Sequence, residues 1–435
     1  MPNPQRLADW LALLERRHPV SIELGLDRIG RVAARLALDR PAPKVITVAG
    51  TNGKGSCVAL LEALLRAEGR RVGSYTSPHL LAYNERIRID GQAVTDAALC
   101  AAFSRIEAAR GDIRLTYFET GTLAALLLMQ AATLGVAVLE VGMGGRLDAV
   151  NIVDPDVAVI TAIDLDHQAW LGPDRDSIGV EKAGIARPGV PAVCGDPDPP
   201  AAMLRSLEAV GAPLLLLGRA DFRLEPGAAG VELTCRTREG TRLRYRDLPE
   251  PRLPAASAAC AVQALVALDL APERQQVAAA FRQTGLAGRF QRLRYRNLEL
   301  ILDVAHNPAA TALLARRLGA AAPNARTHAV AGALADKDLQ GLVAPLVPVV
   351  DRWYCCDLPA VSRAATAARL AEVLYNAGGG DRVAGRFADP TAALAAAARA
   401  CRSGERILVF GSFHTVASVL ALVADGAGPA GGDDR

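Results

Sequence analysis

The heptapeptide Gly50-Thr51-Asn52-Gly53-Lys54-Gly55-Ser56 lies between two differently patterned apolar runs. Before it, Val45-Ile46-Thr47-Val48 reads as a buried strand. After it, residues 56–68 put Leu60, Leu61, Leu64 and Leu65 on one helical face, and Gly69 supplies a stop. Strand, glycine loop and helix in that order make a phosphate-binding turn. Glycines let backbone N–H groups point inward, the helix N-terminus adds positive potential, Lys54 can reach outer phosphates, and Ser56 can face Mg²⁺. The strict spacing G-x-x-x-x-G-K-[ST] is not met, because Val48 stands where it needs glycine and Gly55 separates Lys54 from Ser56. An ordinary glycine-rich turn is the competing reading, and the flanking strand and helix weigh against it.

The rest of the chain alternates strands and helices in two regions, the pattern of parallel α/β sheets. In the first, strands are expected at 71–75, 136–141, 157–162 and 190–194, with a helix over 120–133. Residues 213–250 read as a small, irregular β region on the edge of that domain, and 255–281 as helical. The second region opens with a strand at 298–304, continues with strands at 328–333, 353–356 and 407–410, and has a helix opened by Pro308. A chain of 435 residues exceeds one ordinary core. The expected fold class is therefore α/β, in two domains. Residues 1–288 form a P-loop-type parallel-sheet ATPase domain with the small β region, 289–297 a linker, 298–424 a smaller Rossmann-like domain, and 425–435 a disordered tail.

Composition excludes several function classes. With 49 basic and 46 acidic residues, a net charge of +3 and no basic block, nucleic acid is not an expected partner. The eight cysteines form no C-x-x-C pair, which argues against a zinc ribbon or a disulfide framework and fits a reducing cytoplasm. No run approaches ~18 consecutive apolar residues and no segment has the form of a signal peptide, so no membrane association is expected. The expected state is a cytoplasmic monomer.

Several polar residues fall where a nucleotide enzyme would use them. Glu140 interrupts the apolar strand 136–141 at its carboxyl end, where parallel strands face the ligand crevice. It suits Mg²⁺ as a hard oxygen ligand, or is a partly exposed strand-end glutamate. Ser77 follows the strand 71–75, beside the loop if the crossover is the usual right-handed one. Arg289 has the permanent charge and forked geometry of a phosphate clamp, and Asp303 ends a strand where it could accept from ribose hydroxyls. Read alone, Glu181-Lys182 is a solvated pair and His167 a structural or surface histidine. His306 is part of a polar cluster at a helix start, and Ser412 a turn serine.

The loop resembles that of the Mur ligase superfamily, most closely the folylpolyglutamate synthases. The resemblance continues in order through Ser77-Pro78-His79-Leu80 and Glu140-Val141-Gly142-Met143-Gly144-Gly145-Arg146-Leu147-Asp148. It then takes in Asp166-His167, Glu181-Lys182-Ala183-Gly184-Ile185, Gly288-Arg289-Phe290, Asp303-Val304-Ala305-His306-Asn307-Pro308 and Gly411-Ser412-Phe413-His414-Thr415-Val416. Leu24-Gly25-Leu26-Asp27 and Thr116-Tyr117-Phe118-Glu119 look like the bacterial bifunctional dihydrofolate synthase/folylpolyglutamate synthase branch. Only 49 residues precede Gly50, too few for the nucleotide-sugar domain that cell-wall members carry there.

The resemblance implies a ligase that joins L-glutamate to dihydropteroate, forming dihydrofolate, and to reduced folates, forming polyglutamates. ATP is the co-substrate, two Mg²⁺ are the cofactors, and an acyl phosphate is the intermediate. It places ATP on Thr51, Asn52, Gly53, Lys54, Gly55, Ser56, Arg289 and Asp303. Metals fall to Ser77, Glu140, His167 and a carbamylated Lys182, and catalysis to Lys54, Lys182 and His306. Leu24, Gly25, Leu26, Asp27, Thr116, Tyr117, Phe118 and Glu119 would hold the pterin, although the leucines and the phenylalanine also read as plain core. Ser412 would meet glutamate. Ser257 stands where relatives carry an asparagine that contacts the base, so that role is not carried over. A monofunctional folylpolyglutamate synthase and a Mur-type ligase for another carboxylate are the alternatives.

Overall fold

The structure is a computed structural model describing residues 4–18, 23–322 and 325–426. The tail expected at 425–435 lies outside them, apart from Asp425 and Gly426 at the end of the helix Phe413–Gly426. The chain divides into two compact units, Met1–Gly285 and Leu286–Arg435.

The first unit is built on eight strands: β1 (Lys44–Ala49), β2 (Val72–Tyr75), β3 (Ile87–Ile89), β4 (Gln92–Ala93), β5 (Val136–Glu140), β6 (Val157–Ile160), β7 (Ala192–Cys194) and β8 (Leu214–Leu216). Their order is β4-β3-β2-β5-β1-β6-β7-β8, parallel from β2 to β8, with β3 and β4 turned back as an antiparallel edge. Strands β5 and β6 are buried at every residue, as expected where helices cover both faces of a parallel sheet. The helix Ala255–Ala267 is apolar almost all round and packs on the helix Lys54–Ala67, so it is core rather than surface.

Three expectations need correction here. First, β5 inserts between β1 and β2, so Ser77 does not flank the loop through a direct β1–β2 neighbour; Glu140 comes between them. Second, Leu214–Leu216 is not part of a separate β region but the last strand of the main sheet. Only β9 (Arg223–Gly227), β10 (Gly230–Arg236) and β11 (Arg242–Leu248) form the small antiparallel sheet, in the order β11-β10-β9. Third, 255–281 is two helices, Ala255–Ala267 and Arg274–Gln283; Pro272, lacking an N–H, sits in the break.

The second unit has strands β12 (Gln291–Tyr295), β13 (Leu298–Asp303), β14 (Thr327–Ala331), β15 (Arg352–Cys356), β16 (Val383–Phe387) and β17 (Arg406–Phe410), in the order β12-β13-β17-β14-β15-β16. All are parallel except β12. The stretch 289–297 is thus not a linker. Its strand pairs with β13 through a two-residue turn in which Arg296 and Asn297 both take positive φ, and the exposed Arg292 pairs with Glu299 at 2.5 Å. The charged residues of this stretch, Arg292 and Arg294, are those of an edge strand guarding against further pairing. No helix among the described residues is long and apolar enough to cross a membrane.

Candidate active site

The loop leaves β1 in a conformation that only glycine accepts. Gly50 has φ +146°, and a Cβ there would lie 2.0 Å from Thr161 Oγ1 and 3.1 Å from the Thr161 backbone nitrogen. Thr161, just beyond β6, clamps the loop by donating to Asn52 O at 2.6 Å. Thr51 N donates to Ala162 O at 2.7 Å, and Asp164 N donates to Thr51 Oγ1 at 3.0 Å. Ser257 donates to Gly53 O at 3.1 Å, which makes it a support of the loop. Gly50→Ala is expected to destabilise the fold by about 2–4 kcal/mol, since the clash meets backbone as well as side chain. Urea unfolding checks this, and a loss under about 1 kcal/mol would contradict the steric account.

Two lysines converge on one acceptor. Lys54, first residue of its helix, donates to Gly50 O at 2.9 Å and to Thr51 O at 3.3 Å. Lys182, buried on the helix Arg175–Ala183, donates to the same Gly50 O at 3.1 Å. Burial, and then the charge of Lys54, bring the Lys182 amine down to about 7, against the opposing pull of Asp166 and Asp148. Lys182 is therefore not the solvated residue that its neighbour Glu181 suggested. Glu181 faces outward to Arg146 at 2.8 Å, and Lys182 faces the loop. Asp148 and Asp166, which belong to two of the motifs, stand near the Lys182 amine. Asp148 is buried, with its carboxyl raised to about 6 by desolvation, and accepts from Met143 N at 2.9 Å and Val150 N at 3.0 Å.

Glu140 ends β5 and is 4% exposed; it accepts from Ser77 N at 3.2 Å. Ser56, in the first turn of the loop helix, has a buried hydroxyl with no hydrogen-bond partner. A buried orphan hydroxyl and a buried carboxylate make a hard-oxygen donor set that fits a small divalent cation. His167 sits apart in character, with a left-handed backbone, a side chain 39% exposed and Nε2 at 4.0 Å from Asp166 Oδ1.

The segments assigned to the pterin come together beside the loop that follows Glu140. Gly25 N donates to Leu147 O at 3.1 Å, Arg28 Nη2 lies 3.2 Å from Glu119 Oε1, and the Phe118 ring covers Gly142 so closely that a Cβ there would be 2.4 Å from Phe118 Cζ. Tyr117 stacks edge-on to Tyr83 at 5.6 Å. Leu24 and Leu26 are half-buried and Asp27 is exposed at the start of the helix Asp27–Arg35. Thr116 and Glu119 are occupied as a capping box: Glu119 N donates to Thr116 Oγ1 at 3.1 Å and Thr116 N to Glu119 Oε2 at 2.7 Å.

Within the second unit, Asp303 ends β13 and accepts from Phe290 N at 2.8 Å and Ala305 N at 2.9 Å. Burial lifts its carboxyl above the usual range, opposed first by the Arg289 charge. The Phe413 ring is shared: the Arg289 guanidinium carbon lies 5.2 Å from its centroid and the His306 ring 6.1 Å. His306 Nδ1 contacts Val304 O at 2.9 Å. Ser412 is buried and bonded to Thr415 Oγ1 at 2.7 Å, which fastens the turn after β17.

The model of the Mur ligase middle domain matches residues 48–187, and that of the Mur ligase, glutamate ligase domain, matches residues 288–413. A dihydrofolate synthase/folylpolyglutamate synthase of Escherichia coli (strain K12) is 46% identical over 417 residues, 96% of this chain and 95% of that protein. The structure of E. coli FolC in complex with DHPP and ADP matches with a TM-score of 0.91 at 44% identity, covering 98% of this chain and 100% of that one. A bifunctional folylpolyglutamate synthase/dihydrofolate synthase with Mn, AMPPNP and L-glutamate bound matches with a TM-score of 0.88 at 45% identity, covering 97% and 99%.

Proposed function

We propose, for a chain that belongs to the Mur ligase family and within it to the dihydrofolate synthase/folylpolyglutamate synthases, an ATP-dependent ligation of L-glutamate to dihydropteroate and to reduced folates. The observation that carries this reading is the glycine loop with Lys54 held at its mouth, on Gly50 O and Thr51 O, at the start of its helix. A fixed ammonium at a helix N-terminus favours an anion there, and a triphosphate supplies it.

In the first step the acceptor carboxylate attacks the γ-phosphorus of ATP, the bond to the bridging oxygen breaks, and ADP leaves with that electron pair. Lys54 neutralises charge on the transferring group, and the backbone amides after Gly53 cradle the phosphates. In the second step the glutamate amine attacks the acyl carbon, a proton leaves the nitrogen, and the carbon–oxygen bond to phosphate breaks. Arg289 and Asp303 are assigned to the nucleotide, His306 to catalysis and Ser412 to the incoming glutamate. Leu24, Gly25, Leu26 and Asp27, with Tyr117 and Phe118, are assigned to the pterin.

Ser56, Ser77 and Glu140 would hold one Mg²⁺, and His167 with Lys182 a second. When bound, such ions offset the triphosphate charge. Lys182 suits the second role after carbamylation: its neutral amine adds CO₂ through a new nitrogen–carbon bond, releases a proton, and becomes an oxygen donor.

Steady-state ADP release tests the substrates. With L-glutamate, ATP and Mg²⁺ present, both dihydropteroate and tetrahydrofolate are expected to stimulate release well above background. Stimulation by tetrahydrofolate alone would reduce the chain to the monofunctional activity, and stimulation by neither would remove the folate reading.

A further inference from the structure

We propose that His328, Cys401 and Glu405 form a binding site for a borderline-soft divalent transition-metal ion of the zinc type, separate from the nucleotide chemistry. One ligand atom from each of the three lies within 4.8 Å of the others. His328 is the second residue of β14, Glu405 immediately precedes β17, and Cys401 caps the C-terminal end of the helix Pro390–Ala400. Strands β14 and β17 are parallel neighbours, so the cluster sits at their amino ends. Asp303 and Ser412 belong to the opposite, carboxyl ends of this sheet.

The site is oriented as metal sites are. His328 Nε2 faces Glu405 Oε2 at 3.0 Å, while the other ring nitrogen, Nδ1, is held by the Tyr354 hydroxyl at 3.2 Å. Tyr354 also stacks on the imidazole at 5.9 Å, which fixes the ring plane. An imidazole fixed through its second nitrogen is the usual outer-shell arrangement of a ligating histidine. Glu405 Oε2 is itself steadied by the Arg402 backbone N–H at 2.8 Å. The helix that ends at Cys401 points its carbonyl end, the negative pole of its dipole, toward the cluster.

The donor chemistry selects the ion. One imidazole, one thiolate and one carboxylate, leaving a fourth position for water, suit Zn²⁺ or Co²⁺ and not Mg²⁺. Donors on a tetrahedral zinc stand about 3.6 Å apart, given bond lengths near 2.0–2.3 Å. His328 Nε2 and Glu405 Oε2, now 3.0 Å apart, would open by about half an ångström, and the Cys401 sulfur, within 4.8 Å of the other two ligand atoms, would close by at most about an ångström, which a half-buried residue just past its helix can do. Binding replaces the thiol proton by the metal and releases that proton to solvent. It would tie the start of β14 to the turn entering β17.

Cobalt(II) titration of the full chain, in excess Mg²⁺ so that hard-oxygen sites are filled, tests this. Wild type should take up one equivalent with a saturable thiolate-to-cobalt charge-transfer band, which Zn²⁺ then displaces. Cys401→Ser should lose the band, and Glu405→Gln should weaken uptake at least tenfold while the melting temperature without metal is unchanged. Cys100→Ser, which alters the half-buried cysteine of the first unit, should behave as wild type. Absence of the band in wild type, or its survival in Cys401→Ser, overturns the site and leaves His328–Glu405 as a hydrogen-bonded pair.

Discussion

Lys54→Met is expected to lower kcat by about a thousandfold, or ~4 kcal/mol of transition-state stabilisation, with dihydropteroate and with tetrahydrofolate alike. The loss should be equal because formation of the acyl phosphate is common to both. Lys54 Nζ now rests on Gly50 O and Thr51 O, so its position at the mouth of the loop is held before any phosphate arrives. A preorganised charge costs no reorganisation when negative charge develops on the phosphoryl group. Removing it should not unfold the protein. The variant loses an ammonium that repels Lys182, and the Lys182 amine should move back up toward its ordinary range. Steady-state ADP release together with a thermal melt decides the matter. A kcat within threefold of wild type, or an equal loss explained by a lower melting temperature, would remove Lys54 from the chemistry.

The parallel core was readable because burial on both faces forces unbroken apolar strands. β1, β5, β6, β13 and β17 were all expected close to where they occur. What escaped were edge strands. β12 carries Arg292 and Arg294 outward, and β16 alternates half-buried with exposed residues around Gly385, so neither offers an apolar run. Strand order escaped for a different reason. Sequence shows that β2 follows β1 but not that β5 returns between them, and that insertion brings Glu140 against Ser77.

The site was legible where local chemistry dictates it and hidden where burial does. The loop needed only its own residues and flanks. Thr116 and Glu119 carried the S/T-x-x-E signature of a capping box, a local signal that accounts for the Thr116 hydroxyl and one Glu119 oxygen, while the other faces Arg28. Lys182 could not be read as buried, because a lysine beside a glutamate looks solvated. Only the rotation of the helix Arg175–Ala183 sends Glu181 to Arg146 and Lys182 to Gly50. Asp148 and Asp166 matter through the field they exert on that amine, which depends on distance in space and not on spacing in the chain.

Lys182→Met should separate catalysis from stability by moving them in opposite directions. Methionine matches the length of the lysine stem, so packing is kept, and the loss is one hydrogen bond to Gly50 O, worth about 1 kcal/mol. Against this, the variant no longer has to accommodate an amine whose folded pKa is about 7 against an ordinary 10.5. For a lysine with a depressed folded value the sign is fixed. The unfolded chain holds more protons between those two values, so wild-type stability is full above about 10.5 and declines as pH falls toward 7. In CO₂-free buffer Lys182→Met should therefore be more stable than wild type at pH 7, by roughly 3 kcal/mol after the hydrogen-bond loss, and the gap should close as pH rises toward 10. Activity should fall at least a hundredfold. At equal dissolved CO₂, bicarbonate buffer should restore CO₂-depleted wild type faster at pH 8 than at pH 6, because the neutral amine is the reactant, and should do nothing for the variant. Active wild type should show the mass of one added CO₂ under gentle ionisation. An unmodified lysine in fully active enzyme would sink the carbamate. A Lys182→Met protein that stays less stable than wild type across the whole pH range would sink the buried-charge account.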